Sequence, residues 1–135
     1  MELPHDTHVA VIDGENFKLF RNAGSSAEPR LEDARQISVE GENYSAGVRH
    51  QDDAGQRLGR TDLDELAHAA AAADWLNKQV LDNSIAKLFV IADPKSLGEM
   101  RRHYHTKLED VLVGELGKAV AGEPAERIVR SIAAA

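Results

Sequence analysis

Two carboxylates stand where apolar runs end: Asp13 after Val9-Ala10-Val11-Ile12, and Asp93 after Leu88-Phe89-Val90-Ile91-Ala92. An acid directly after a buried strand lies at the carboxyl edge of a sheet, where α/β proteins place their ligands. Two such acids on neighbouring strands could hold Mg²⁺ for a nuclease-like hydrolysis, with Glu15 or Glu99 as the third carboxylate. Turn and cap chemistry accounts for the same residues without a metal. Asp13-Gly14 between two apolar runs reads as a tight hairpin turn with Gly14 at positive φ, and Asp93 before Pro94 reads as a helix cap.

The second chemistry is cationic. Between 87 and 107 lie Lys87, Lys95, Arg101, Arg102 and Lys107 against Asp93 and Glu99, a local net of +3 in a chain of net charge −7. With the start of a helix beside them, these residues suit a phosphate or an RNA backbone. Lys95, Arg101 and Arg102 are the candidates here, joined by Arg57 and Arg60 from the polar stretch upstream. The competing reading pairs this face with the acidic helix at 62–82. His5, Asp6 and His8 sit close in sequence at the N-terminus, and His103 and His105 point about 200° apart if helical. Neither set defines a metal site, and no cofactor is expected.

These residues need elements to position them. Val9–Ile12 and Phe17–Phe20 read as a hairpin, and the alternation of Gln36–Glu40 as a third strand. Residues 41–60 hold four glycines and only Tyr44, Val48 and Leu58 as sizeable apolar groups, so they form a long polar loop. Thr61 opens a helix carrying Leu63, Leu66, Ala69, Ala73, Leu76 and Val80 at helical spacing. Ala69–Ala73 is a small-residue stripe fit for close approach to a sheet or, with Trp75, to a second copy. Leu88–Ala92 is a buried strand. One long helix then carries Leu97, Met100, Tyr104, Leu108, Val111, Leu112 and Leu116, and a short one covers Glu126–Ala134.

The expected architecture is a single α/β domain over 1–135, β-β-β-α-β-α-α, with a mixed sheet of about four strands in the order 3-2-1-4. That is a ribonuclease-H-like core lacking its last strand, the fourth strand being reached by a right-handed crossover. The chain lacks cysteine, which excludes a disulfide framework and thiolate chemistry. No membrane span or signal peptide is read, so the expected compartment is the cytoplasm.

The run Thr7-His8-Val9-Ala10-Val11-Ile12-Asp13-Gly14 with Phe17–Asn22, and the run Val90-Ile91-Ala92-Asp93-Pro94-Lys95-Ser96-Leu97-Gly98-Glu99-Met100-Arg101, resemble two motifs of the bacterial host attachment proteins. That family is distantly similar to the central domain of eukaryotic and archaeal class-1 release factors. The resemblance implies a release-factor-like, ribonuclease-H-like fold. It also places Ala54-Gly55-Gln56 in the loop that carries Gly-Gly-Gln in the release factor, with the first glycine replaced. The function it implies is a non-enzymatic cytoplasmic domain that binds RNA or a translation complex through the loop 41–60 and the basic helix start. The alternatives are a Mg²⁺-dependent nuclease using Asp13 and Asp93, or a homodimeric interaction module joined through Ala69, Ala73 and Trp75.

Overall fold

The computed structural model describes residues 2–40 and 60–135. Its centre is a five-stranded mixed sheet in the order β3-β2-β1-β4-β5. Strand β1 (His8–Ile12) pairs antiparallel with β2 (Phe17–Asn22), which pairs antiparallel with β3 (Leu31–Gln36). Helix α1 (Arg60–Leu81) leads to β4 (Leu88–Ala92), which lies parallel to β1. Helices α2 (Pro94–Arg101) and α3 (Thr106–Val111) precede β5 (Leu112–Gly117), parallel to β4, and α4 (Ala125–Ala134) follows.

Strand β4 is buried along its whole length because side chains on both its faces meet helices. Leu88, Val90 and Ala92 join Ala10, Ile12, Leu76, Met100 and Leu108 in a core under α1, α2 and α3. Phe89 and Ile91 join Val9, Val11, Phe20 and Leu31 in a second core closed by Ile128 and Ile132 of α4. Trp75 is half-buried and meets Phe17 edge-on, with ring centroids 5.3 Å apart. No helix among the described residues is long and apolar enough to cross a membrane.

The expected order 3-2-1-4 is present, with a fifth strand beyond it. The long helix expected after Pro94 breaks at residues 102–105. Arg102 and His103 donate their backbone N–H groups back to Glu99 and Met100, closing the first helix. His105 then caps the second, its Nδ1 accepting from Lys107 N–H at 3.0 Å. Asn77 of α1 holds the break in place. Its side chain donates to the His103 carbonyl at 2.8 Å and accepts from His105 N–H at 2.9 Å. The pair His103 and His105 therefore lies in a turn and a cap.

Two further expectations change. The third strand is Leu31–Gln36, five or so residues earlier than Gln36–Glu40; backbone pairing to β2 defines it, while all its side chains after Leu31 are exposed. Ile37 and Val39 still pack against the first core. Ala69 and Ala73 have no exposed surface, because the stripe is spent on close approach of α1 to its own sheet. The stripe is therefore not available as a surface for a second copy.

Candidate functional site

Because β1 and β4 run parallel with Ile12 opposite Ala92, Asp13 and Asp93 leave the sheet side by side. They line an open cleft of about 290 Å³ at the carboxyl edge, together with Gly14, Glu15, Glu65 and Ala119. The structure thus brings the two predicted carboxylates together.

The lone pairs of Asp13 are largely taken. Asp13 Oδ1 accepts from Glu15 N–H at 2.8 Å and Asn16 N–H at 2.6 Å, and the Asn16 amide donates to both Asp13 oxygens at 3.1 Å. This Asx arrangement builds the β1–β2 turn. Gly14 has no positive φ, so the turn is not the expected Asp-Gly type. Glycine is required there for space: a Cβ at Gly14 would stand 2.8 to 2.9 Å from Glu65 Cδ and Cβ. His68 Nδ1 lies 2.9 Å from the Asp13 carbonyl and ties the turn to α1.

Asp93 caps α2, its Oδ2 accepting from Ser96 N–H at 3.1 Å. Its backbone carbonyl accepts from Leu97 N–H, and Pro94 brings no N–H. The helix start, expected to attract a phosphate, is thus occupied in large part by the protein's own carboxylate. Asp93 Oδ1 is buried without a hydrogen-bond partner among the described residues. Glu15 lines the cleft, whereas Glu99 is buried on α2, 2.8 Å from His103 Nε2. Among the described residues no three His, Cys, Asp or Glu side chains are grouped to hold a metal ion. Glu15 and Glu65 border the same cleft as Asp13 and Asp93 without being drawn into such a group.

Burial is the largest influence on Asp13 and would raise its pKa. The hydrogen bonds from Glu15 and Asn16 outweigh it, with help from His68, and hold the carboxyl below the usual range. A group with a depressed folded pKa stabilises the fold above its unfolded pKa and loses that contribution as pH falls through the folded value. Thermal melts of the wild type should therefore drop below about pH 4 more steeply than those of Asp13→Asn. Parallel curves for the two proteins would show that Asp13 is not held this way.

The cations fare differently from the count of +3. Lys95 Nζ lies 3.2 Å from Glu65 of α1. Arg101 is held by Glu115 of β5, with both Nε and one terminal nitrogen 3.2 Å from its Oε1, and Tyr104 donates to the same carboxylate at 3.1 Å. Burial, then the Glu115 charge and hydrogen bond, push the Tyr104 phenol up. Arg102 is exposed, 3.7 Å from Glu99. Glu65 belongs to the acidic helix of the competing reading, whereas Glu115 lies outside the 87–107 window and only the fold brings it to Arg101. The acidic-helix pairing expected for this face is realised by Lys95–Glu65. Arg60 opens α1, while Arg57 and Ala54-Gly55-Gln56 lie outside the described residues.

At the N-terminus, His5 Nδ1 lies 2.6 Å from the Gly24 carbonyl and Asp6 pairs with Arg21 at 2.7 Å. His8 sits in β1 beside Arg21, Asp33 and Arg35, where burial and then Arg35 and Arg21 lower its pKa.

The model of bacterial archaeo-eukaryotic release factor family 12 matches residues 6–132. The chain belongs to this family. Membership agrees with the release-factor side of the resemblance and covers every strand and almost all of α4. No curated protein matches this family-12 chain. The motif around Asp93-Pro94 that carried the resemblance is the strand end and cap that build one wall of the cleft in this family-12 protein.

Proposed function

We propose that this release-factor family 12 protein is a non-catalytic, cytoplasmic binding domain that engages RNA within a translation complex at the carboxyl edge of its sheet. The match to a release-factor family over residues 6–132 carries the reading. Strands β1 and β4 end at this edge, and α1 and α2 begin there, so the ends of four elements meet on one surface. The phosphate contacts are Lys95 and Arg60 at the edge, with Arg57 from the segment between β3 and α1, continued along α2 by Arg101 and Arg102 at its far end. The ion pairs of Lys95 and Arg101 do not oppose this. Each cation is more than a third exposed, and surface pairs of this kind are worth only about 0–1 kcal/mol, so a phosphate can replace a carboxylate at small cost.

Sedimentation with ribosomes through a sucrose gradient tests the proposal. The protein is expected to travel with ribosomal particles at low salt and to leave them as salt rises. Reversal of charge at Arg57, Arg60 and Arg102 together should abolish the association while circular dichroism stays unchanged. Absence of the protein from every ribosomal fraction at low salt would refute it.

A further inference from the structure

At the end of β1 away from Asp13, three neighbouring strands bring charged side chains to one face. His8 stands opposite Arg21 of β2, and Arg35 of β3 stands opposite Leu19. By strand alternation His8 shares its face with Ala10 and Ile12, and Arg21 shares its face with Leu19, the side of the sheet that packs on α1. His8, Arg21, Asp33 and Arg35 line a cleft of about 130 Å³ there, completed by Leu19 and Phe20. Sites for drug-sized ligands begin at about 300 Å³, so this one suits a single small group.

The charges around the cleft do not cancel evenly. Arg21 takes both acids, with Nη1 2.7 Å from Asp6 and Nε 3.0 Å from Asp33. Arg35 is exposed and pairs with no carboxylate among the described residues. The His8 ring registers the balance: after burial, Arg35 and then Arg21 act on it more strongly than Asp6 and Asp33. The cleft is therefore a positive spot in a chain of net charge −7. His8 Nδ1 is buried without a hydrogen-bond partner among the described residues, so a proton there would be a buried, unmatched donor. The ring stays neutral at pH 7 and keeps its proton on Nε2.

We propose that this cleft binds a phosphate group, free or as a small monoester, with Arg35 and Arg21 as its cations and His8 as a neutral donor. A guanidinium fork matches two phosphate oxygens at once, and Arg35 has no carboxylate to release first. Asp33 lines the same cleft and opposes the anion, its charge partly compensated by Arg21. The site stands at the opposite end of β1 from the edge assigned to RNA, so either assignment can fail without the other.

Titration of the full chain with inorganic phosphate, at ionic strength held constant with chloride, is followed by NMR at the His8 ring and the Arg21 and Arg35 side chains. Saturable shifts at all three are expected. Arg35→Gln should weaken binding about tenfold, with circular dichroism unchanged because Arg35 is exposed. Asp33→Asn should tighten it about threefold by removing the opposing charge. Asparagine tolerates the backbone φ of 57° at that position, so the strand is kept. Ribose 5-phosphate separates the two sources. The same shifts with it assign a monoester whose sugar stays outside the cleft, and shifts with inorganic phosphate alone assign the free ion. Shifts that never saturate, an equal response to chloride, or unchanged affinity in Arg35→Gln would each overturn the proposal.

Discussion

Phe89→Ala is expected to destabilise the protein by about 3–5 kcal/mol, read from urea unfolding at neutral pH. Phe89 has no exposed surface and sits on the strand that has neighbours on both sides. Its ring fills the core between β1, β4 and α4, among Val9, Val11, Ile91, Ile128 and Ile132. Those groups belong to three elements, so none can move in to fill the space without pulling its own strand or helix out of register. Since a domain's whole stability is about 5–15 kcal/mol, the loss is a large fraction of it. The apolar residue Leu81 gives the contrast: it is 52% exposed, and truncating it should change little. Loss of less than about 1 kcal/mol from Phe89→Ala would mean that the second core is not packed as described.

Asn22→Leu ranks next. Asn22 is fully buried at the end of β2, and its amide serves backbone groups on both sides. Its Nδ2 donates to the carbonyl of Leu3 at 2.8 Å and of Pro4 at 3.2 Å, while its Oδ1 accepts from the N–H groups of Gly24 and Arg30 at 2.9 Å each. One side chain thus fastens the N-terminal segment and closes the β2–β3 loop. Gly24 fits under it because a Cβ there would stand 2.8 Å from Arg30 N and press on the Glu28 carbonyl. Leucine matches asparagine roughly in size but leaves these groups unpaired, at a cost of about 2–4 kcal/mol. Hydrogen exchange gives the sharper readout. The Gly24 and Arg30 amides should exchange much faster in the variant, and unchanged rates at both would show that other groups hold the loop.

Much of this fold is written locally. Val9–Ile12 and Leu88–Ala92 are apolar runs bounded by polar turns, and α1 repeats its apolar residues at helical spacing, so burial and periodicity point the same way. Strand β5 is the opposite case. Leu108, Val111, Leu112 and Leu116 keep a helical spacing straight through the break, and neither Pro nor Gly stands at residues 102–105. What stops the helix is Asn77, from an element 26 residues upstream of His103. The cues that were present are Gly114 and Gly117, which suit a strand edge better than a helix. Strand β3 gave no alternation because only its first side chain is buried. The site divides in the same manner. Asp13 and Asp93 were legible because each ends an apolar run, whereas Glu65 and Glu115 become neighbours of Lys95 and Arg101 only after the sheet has formed. A window count of charge sees cations and misses the distant acids that answer them.

The pairing of β1 with β4, His8 against Leu88, also sets a timetable. As the chain leaves the ribosome, the hairpin of β1 and β2 and then β3 can zip together early, since their contacts are local. The meander nevertheless has neither cover. Ala10, Ile12 and Leu19 wait for α1, and Val9, Val11, Phe20 and Leu31 wait for Ile128 and Ile132, far downstream. Throughout that interval the nascent chain holds a sheet with two bare apolar faces and an unpaired β1 edge, the features that attract chaperones or aggregate when left alone. The strand at the middle of the finished sheet is the one whose parallel partner follows α1 in the chain, so the sheet closes only after that crossover has been made.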